Sequence, residues 1–325
     1  MKAIVQDVYG SADVLRLHDI DRPTPGDGEV LIGVRAASAD PGVWHTMTGV
    51  PYLMRVIGFG LRRPKVPVRG LALAGVVEAV GSAVTRFRPG DEVYGTCRSG
   101  SFAEYAVARP NQLALKPTNL TVEQAAALPV SAMTALHAVR DQAKVRAGQR
   151  VLVIGAGGGV GTFAVQLAKA RGARVTGVCG PGKAELVRSL GADEVIDYTR
   201  DEIDSGGARY DIIIDTAGNR PLSLLRRTLA PRGTLVLVGG DDYQRPVLTG
   251  MARAVRLLCL SPFTGQRLRS LLSLVNAADL QALTELAESG AFTPVIDRVY
   301  PLTDAAEAIR RIAGGHATGK AVVTI

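Results

Sequence analysis

The chain has 325 residues, of which 47% are hydrophobic and 21% are charged, and its formal net charge is +8. This composition excludes a disordered, collagen-like or coiled-coil protein, and the length is typical of two domains that each bury a core. Aromatic residues make up only 5% of the chain, and the longest basic cluster covers residues 62–65. We therefore expect no nucleic-acid partner, because such proteins need extended basic or stacking surfaces.

Cysteine usage and the N-terminal sequence bear on the cellular compartment. Cys97, Cys179 and Cys259 are widely spaced and form no C-x-x-C pair. This pattern is typical of a reducing compartment, so we expect a cytoplasmic protein. Asp7 stands where a signal peptide requires apolar residues. The uncharged window 151–168 contains five glycines, so it predicts a buried strand, a turn and a helix, and no membrane span.

Predicted strands dominate the first part of the chain. The first 110 residues contain short apolar runs, such as 29–34 and 75–80, that are separated by glycine, proline and aspartate. These runs predict a β-rich, turn-rich domain. The next clear signal is Thr121, which is placed to cap a helix.

From about residue 150 the pattern changes to strands that alternate with helices. We predict strands at 151–154, 174–178, 194–196, 212–214 and 235–238, and helices at about 160–171 and 183–190. This alternation predicts an α/β fold with a doubly wound parallel sheet beside the β-rich domain. After about residue 260 we predict a helical stretch, a strand at 295–299, a further helix and a last strand at 321–325. This tail either extends the parallel sheet or returns to the first domain.

A glycine-rich turn joins the strand 151–154 to the following helix. Gly155, Gly158 and Gly161 are spaced three apart, with Gly157 and Gly159 between them. Glycines allow the backbone to turn tightly and to approach a pyrophosphate, and the helix after the turn offers unpaired N–H groups. The motif in this context predicts a dinucleotide-binding site, with a merely tight turn as the alternative.

The end of the next strand indicates which dinucleotide is bound. NAD-binding proteins place Asp or Glu there, but residues 178–183 contain no carboxylate. Lys183 could instead reach a 2′-phosphate through a charge-assisted hydrogen bond of about 1.5–3 kcal/mol, which favours NADPH. An ordinary surface lysine is the alternative. Tyr198, after the third strand, is a candidate phosphate or adenine contact, or else a strand-end tyrosine that is half-buried.

The whole chain resembles the zinc-independent medium-chain dehydrogenase/reductases, in the branch of the NADPH:quinone oxidoreductases and enoyl reductases. The motifs that carry the resemblance lie at 1–5, 89–95, 100–105, 129–136, 158–161 and 319–323. The resemblance implies a GroES-like domain of residues 1–120 completed by 265–325, a Rossmann domain of residues 121–264, an NADPH-dependent reductase and a homodimer. The cofactor contacts that we expect, from the resemblance and the glycine turn, are Thr134, Gly155, Gly158, Gly159, Val160, Gly161, Lys183, Tyr198, Gly218, Gly239 and Lys320.

We expect no metal ion. A catalytic zinc needs three ligands from Cys, His, Asp or Glu, and zinc-dependent relatives place a Cys and a Gly-His-Glu motif in the first domain. The matching stretches here, 39–42 and 69–72, contain neither Cys nor His. His45 lies near the first stretch without a second ligand close by, and His18, His137 and His316 are far apart in the sequence.

Without a Lewis acid, conjugated acceptors are the favoured substrates. A quinone or an α,β-unsaturated carbonyl accepts hydride and then needs only hydrogen-bond donors and a proton. We therefore expect a small conjugated carbonyl or quinone substrate, with Tyr52 and Asp40 as catalytic candidates. Tyr52 matches a position where several relatives carry Tyr near the substrate, or it is a loop tyrosine with apolar packing. Asp40 stands where many relatives have Asn, and a turn-forming role before Pro41 is its alternative.

Two further questions stay open at this point. The apolar and basic segment 53–67 is either a lid over a hydrophobic or anionic substrate or a loop packed on the domain. Three functions are compatible with the sequence. The first is a general reductase of quinones or enones, and the second is a reductase of one biosynthetic intermediate in which Asp40 is an acid or base. The third is an NADPH-binding sensor or structural protein without turnover.

Overall fold

The computed structural model describes residues 1–53, 55–207, 209–239, 249–261, 264–315 and 317–325. It divides into two compact units. The β-rich unit comprises Met1–Met133, Leu274–Gly290 and Pro294–Ile325, and the Rossmann unit comprises Thr134–Ser273 and Ala291–Thr293.

The secondary structure follows in chain order. The strands are β1 (Lys2–Val5), β2 (Arg16–Asp19), β3 (Val30–Ala39), β4 (Ala72–Val80), β5 (Glu92–Thr96), β6 (Tyr105–Ala108), β7 (Leu113–Leu115), β8 (Arg150–Ile154), β9 (Arg174–Cys179), β10 (Glu194–Asp197), β11 (Tyr210–Asp215), β12 (Leu229–Leu237), β13 (Arg267–Ser270), β14 (Ile296–Pro301) and β15 (Lys320–Thr324). The helices are α1 (Pro41–Thr48), α2 (Val122–Ala126), α3 (Leu128–Leu136), α4 (Gly159–Ala170), α5 (Ala184–Ser189), α6 (Leu222–Thr228), α7 (Thr249–Leu260), α8 (Ala277–Glu288) and α9 (Ala305–Ala313).

The β-rich unit is built on a seven-stranded sheet with the order β14-β15-β3-β4-β5-β7, to which β6 is added by pairing with β3. Within it only β14 and β15 are parallel neighbours. The last strand runs antiparallel to β3, with Ala321 opposite Ala39. The tail of the chain therefore returns to the first domain, which answers the question that periodicity left open.

The Rossmann unit contains a six-stranded parallel sheet with the order β10-β9-β8-β11-β12-β13. The first strand, β8, is buried over Val151–Ile154 because helices cover both faces of such a sheet. The strand order reverses between β8 and β11, which makes the sheet doubly wound, and ligands bind such sheets beyond the carboxyl ends of the strands at this reversal. The predicted α/β class with a doubly wound parallel sheet is confirmed.

The division into two units differs from the expected one at residues 121–133, 265–273 and 291–293. Thr121 caps α2 as predicted, since its Oγ1 accepts a hydrogen bond from the N–H of Gln124 at 3.3 Å. This helix packs on β3 and β4, so residues 121–133 belong to the β-rich unit. In contrast β13 pairs with β12, so residues 265–273 belong to the Rossmann unit.

The glycine-rich window 151–168 forms β8, a turn and the first part of α4, as predicted. Within the described ranges, no helix is both long and apolar enough to cross a lipid bilayer.

Candidate active site

The turn between β8 and α4 has a backbone that only glycine fits at two positions. Gly155 has a φ of 81°, and a Cβ there would lie 2.5 Å from Oγ1 of Thr216. At Gly161 a Cβ would lie 2.1 Å from the carbonyl oxygen of Gly155. Because that neighbour is backbone, no side-chain movement could relieve the second contact. The turn is thus closed tightly on itself, and α4 begins directly above β8.

The first turn of α4 presents backbone donors. Gly158 is the N-cap and provides no side chain for capping, while its own N–H donates to the Gly155 carbonyl at 3.0 Å. The N–H groups of Gly159, Val160 and Gly161 have no partner within the helix, because the first turn of any α-helix leaves its donors free. Such donors, together with the positive end of the helix dipole, favour a bound anion.

Lys183 lies beside this turn. It follows the end of β9 and stands as N-cap of α5, without a capping bond from its side chain. A Cβ on Gly157 would lie 2.7 Å from Cδ of Lys183, so the aliphatic stem of the lysine runs over the glycine turn. The predicted phosphate ligand and the predicted glycine cradle are therefore neighbours in the fold.

Tyr198 lies against the end of the same strand. A Cβ on Gly180 would be 3.3 Å from the Tyr198 hydroxyl, and the tyrosine is 49% exposed. The carboxylate of its neighbour Asp197 accepts hydrogen bonds from the backbone N–H of Thr199 at 3.0 Å and from the Thr199 hydroxyl at 2.8 Å.

The thiol of Cys179 lies at the end of the same strand, β9. Burial and, second, the charge of Asp197 raise its pKa. This cysteine therefore stays protonated and is not a nucleophile at neutral pH.

The ends of β11 and β12 complete the edge of the sheet. Gly218 has a φ of 68°, and its N–H donates to Asp215 at 2.9 Å. A Cβ on Gly239 would lie 2.3 Å from the Thr216 carbonyl oxygen. The carboxyl edge of the parallel sheet thus brings the glycine turn, Lys183, Tyr198, Gly218 and Gly239 to one side of the Rossmann unit.

Sequence reasoning missed the polar network behind this edge. Asp215 is fully buried and accepts from Arg253 at 2.8 Å, in addition to the Gly218 N–H. The Thr216 hydroxyl donates to the Ile154 carbonyl at 2.8 Å and so ties β11 to the end of β8. The sequence does contain a signal for this network, because the carboxylate of Asp215 directly follows the apolar run 212–214. A charge at the end of a buried strand requires a partner.

The remaining predicted cofactor contacts lie elsewhere. Thr134 is half-buried in α3, at the beginning of the Rossmann unit. Lys320 belongs to the β-rich unit, where it is only 2% exposed. Its Nζ donates to the Ala39 carbonyl at 3.3 Å and forms an ion pair with Asp40.

Asp40 is therefore part of a buried pair. Its side chain is fully buried and also accepts a hydrogen bond from the Ser38 hydroxyl at 2.7 Å. The pair joins the end of β3 to the beginning of β15. Asp40 precedes α1 without capping it through its side chain, and Pro41 takes the first helical position. This arrangement agrees with the alternative that Asp40 has a structural role before Pro41.

Tyr52 lies beyond the other end of α1. The eight residues of that helix span about 12 Å, so the structure does not bring the two catalytic candidates together. Tyr52 is 48% exposed, and the guanidinium of Arg55 lies 4.7 Å from its ring centre. Arg55 also lies 4.1 Å from the ring centre of Tyr9 and donates to the Thr48 and Gly49 carbonyls at 2.9 Å each.

The segment 53–67 is anchored at its centre and exposed around it. The Tyr9 hydroxyl contacts the Phe59 and Gly60 carbonyls at 2.9 and 2.7 Å. Val56 and Leu61 expose 69% and 68% of their surface. Met54 lies outside the described residues. The contacts of Tyr9 support the alternative of a loop packed on the domain.

The described part of the chain contains no group of three or more His, Cys, Asp or Glu side chains that could hold a metal ion. Nδ1 of His45 lies 2.7 Å from the Val50 carbonyl oxygen, and the imidazole packs edge-on against Trp44 with ring centres 5.1 Å apart. His316 lies outside the described residues.

Comparison with known proteins identifies the family. Residues 26–118 match the alcohol dehydrogenase GroES-like domain, and residues 190–323 match the family described as zinc-binding dehydrogenase. The chain is 34% identical to the chloroplastic quinone-oxidoreductase homolog of Spinacia oleracea, over 99% of this chain and 98% of that protein. It is 35% identical to the chloroplastic NADPH-dependent alkenal/one oxidoreductase of Arabidopsis thaliana, over 99% of this chain and 79% of that protein.

A solved structure agrees with these relatives. The native structure of a mycobacterial protein complexed with NADPH has a TM-score of 0.84 and 28% identity, and the match covers 100% of both chains. The matched GroES-like domain lies in the β-rich unit, and the resemblance stated from the sequence motifs is confirmed. The chain belongs to the medium-chain dehydrogenase/reductase family, in the branch of the zinc-independent quinone oxidoreductases.

Proposed function

We propose that this chain is an NADPH-dependent oxidoreductase that transfers a hydride to a conjugated carbonyl acceptor, a quinone or an enone. The observation that carries the proposal is the position of Lys183, whose side chain lies against Gly157 at a strand end without a carboxylate. An ammonium group at this place favours a cofactor with a 2′-phosphate. The names of a relative and of a solved neighbour, which include NADPH, support the same cofactor.

The residues at the carboxyl edge of the Rossmann sheet fit this cofactor. At Gly155, Gly157 and Gly161 a Cβ would come within 2.7 Å of a neighbouring atom, so the turn has no room for side chains at these positions and a pyrophosphate would approach its backbone. The N–H groups of Gly159, Val160 and Gly161 are the donors for its oxygens. Lys183 holds the 2′-phosphate, and Tyr198 is the proposed second phosphate or adenine contact. The further proposed contacts are Gly158, Thr134, Gly218, Gly239 and Lys320.

The chemistry requires little from the protein besides position and hydrogen bonding. When bound, NADPH supplies the hydride that reduces a conjugated carbon of the acceptor. The chain then has to stabilise the negative charge on the acceptor oxygen and provide a proton. Tyr52 is the proposed donor, since its exposed phenol can donate to such an oxygen, and water is the other proton source.

Asp40 is the second catalytic candidate, as acid or base in a reductase of one biosynthetic intermediate. Its carboxylate is buried and held by Ser38 and Lys320. Both carboxylate oxygens therefore already have a partner within the β-rich unit. The contacts therefore support Tyr52 over Asp40.

NADPH consumption with a panel of quinones, enones and simple aldehydes tests the function. We expect turnover with the conjugated acceptors and none with unactivated aldehydes. Tyr52→Phe should lower kcat about 10²-fold, whereas Tyr105→Phe, which removes a hydroxyl from β6, should not. Activity confined to a single intermediate would favour the specialised reductase, and tight NADPH binding without any turnover would contradict the enzyme proposal.

We further propose that the protein is a cytoplasmic homodimer. The edge strand β13 has no neighbour on its outer side among the described residues, and Leu272 just after it is 83% exposed. Edge strands with apolar flanks favour pairing with a second chain. The three cysteines are free thiols, which supports a reducing compartment. Sedimentation of the wild type and of Leu272→Glu tests the dimer, and fractionation of the native cells tests the compartment.

A further inference from the structure

Arg69 occupies an unusual place for an arginine. Its backbone N–H donates to the Ile4 carbonyl at 3.0 Å, and its carbonyl accepts from Phe102 at 2.9 Å. Val5 and Val68 form an antiparallel bridge, so Ile4 stands opposite Arg69 and their side chains point to the same face. That face belongs to the apolar core that contains Ile4 and Phe102. Arg69 is accordingly only 4% exposed.

One nitrogen of this guanidinium is buried and has no partner among the described residues. Its Nε is inaccessible and makes no hydrogen bond, and no carboxylate of the described residues forms an ion pair with it. Burial lowers the pKa of Arg69 to about 10, so the group remains charged at neutral pH. A buried charge carries a large desolvation penalty unless an opposite charge or a hydrogen bond offsets it. Among the described residues, the fold places no carboxylate beside this cation.

The charged surroundings of Arg69 are also positive. Apart from the effect of burial, the pKa of Arg69 is affected by the side chain of Tyr9. The phenol of Tyr9 is neutral at pH 7. The guanidinium of Arg55 lies 4.1 Å from the centre of the Tyr9 ring. It also donates hydrogen bonds to the Thr48 and Gly49 carbonyls. The same Arg55 packs on Tyr52, so Arg55 connects Tyr9 and Tyr52, and Arg69 is near enough to Tyr9 for each to affect the pKa of the other.

We propose that Arg69 is a specificity-determining residue that binds a carboxylate of the acceptor. The substrate class is then a conjugated carbonyl compound that carries a carboxylate. A guanidinium presents parallel N–H groups that match both oxygens of a carboxylate, and such charge-assisted pairs are strongest where water is excluded. This proposal rests on the proposed function, because it places the charged end of the acceptor at Arg69 while its carbonyl is served by Tyr52.

A matched pair of acceptors tests the assignment. The anion trans-benzoylacrylate and its methyl ester share the same enone and differ in charge. We expect wild-type kcat/KM to favour the acid, and Arg69→Leu to lower kcat/KM for the acid roughly 10- to 100-fold while the ester changes less than about twofold. Arg69→Lys should keep part of the preference, because it retains the charge without the fork. Arg35→Leu, which removes an exposed arginine of β3, is the control and should change neither substrate.

Gln6 defines the competing explanation. It shares the face of Arg69, its Nε2 donates to the Met47 carbonyl at 2.9 Å, and its buried Oε1 is also without a partner. A water molecule between Arg69 and Gln6 would satisfy both groups with no role for a substrate. In that case Arg69→Leu would leave the ratio between acid and ester unchanged, and this result would overturn the proposal.

A binding measurement separates this proposal from the enzyme assignment. The saturated analogue benzoylpropionate cannot be reduced at a conjugated carbon, yet it carries the same carboxylate. We expect it to raise the Tm of the wild type and not that of Arg69→Leu, whose own Tm should be higher because an unpaired buried charge is gone. Absence of turnover with all acceptors would refute the enzyme while leaving this shift intact. Equal Tm shifts in both proteins would refute the role of Arg69.

Discussion

The preference for NADPH over NADH should depend on one side chain, Lys183. Its stem runs over Gly157, where the distance to an added Cβ would be 2.7 Å, and its side chain makes no capping hydrogen bond to α5. Replacement of this residue changes the charge beside the glycine turn. Glutamate is also tolerated at the beginning of a helix, because its charge complements the helix dipole.

The magnitude follows from the chemistry of the contact. A hydrogen bond to a charged group contributes about 1.5–3 kcal/mol, which corresponds to roughly 10- to 100-fold in binding. Lys183 is partly exposed, and solvent screening brings the contribution to the lower end of that range. Lys183→Ala should therefore reduce the ratio of kcat/KM for NADPH to that for NADH by about tenfold. Lys183→Glu should reduce the ratio further, because a carboxylate repels the 2′-phosphate.

Initial rates with one quinone and both cofactors measure this ratio. Lys183→Arg is the matched control, since it keeps the positive charge and should keep most of the preference. The NADH rates report whether a variant remains folded and competent. An unchanged cofactor ratio in both Lys183→Ala and Lys183→Glu, with normal NADH rates, would show that the 2′-phosphate is recognised elsewhere.

Three further variants test other parts of the structure. Gly161→Ala should abolish NADPH binding in calorimetry, because its Cβ would lie 2.1 Å from the Gly155 carbonyl oxygen; binding within a few-fold of wild type would contradict the tight turn. Burial raises the pKa of the Cys97 thiol to about 12, so the unfolded chain loses this proton at a lower pH than the folded protein does. The free energy of unfolding should therefore fall above pH ~9, by up to about 1.4 kcal/mol per pH unit. Cys97→Ala should remove this part of the slope in urea titrations, and an identical slope would refute it. Lys320→Met should lower the free energy of unfolding by about 3–5 kcal/mol, because it leaves Asp40 buried and without its opposite charge. Adding Asp40→Leu should recover much of this loss. Additive losses in the double variant would argue against the pair.

The parallel sheet could be predicted because its signals are local. The run 151–154 is apolar throughout, as a strand covered on both faces must be, and the glycines that follow are typical of a tight turn into a helix. In contrast β13 reads Arg267, Leu268, Arg269 and Ser270, and only Leu268 is buried. A strand at the edge of a sheet needs no continuous apolar run, so its sequence resembles a surface loop and the unit boundary is displaced.

The buried polar pairs of each unit could not be predicted from the sequence, for a different reason. Asp40 and Lys320 are separated by 280 positions, and only the return of β15 to β3 brings them together. Similarly, Asp215 is identified as a partner of Arg253 only when α7 is placed beside the sheet. The identity of a buried charge is local information, but the group that neutralises it is decided by the topology of the chain.

The contrast between Asp40 and Arg69 shows how burial separates structural charges from those available for a ligand. Both side chains are almost completely removed from water. Asp40 has Ser38 and Lys320 as partners, so its charge is neutralised within the β-rich unit and a bound molecule gains little by approaching it. Arg69 has no such partner among the described residues, and an anion that reaches it gains a charge-assisted contact. Specificity for an anionic acceptor therefore follows from the unneutralised cation, and removal of Arg69 should make the enzyme more stable and less selective at the same time.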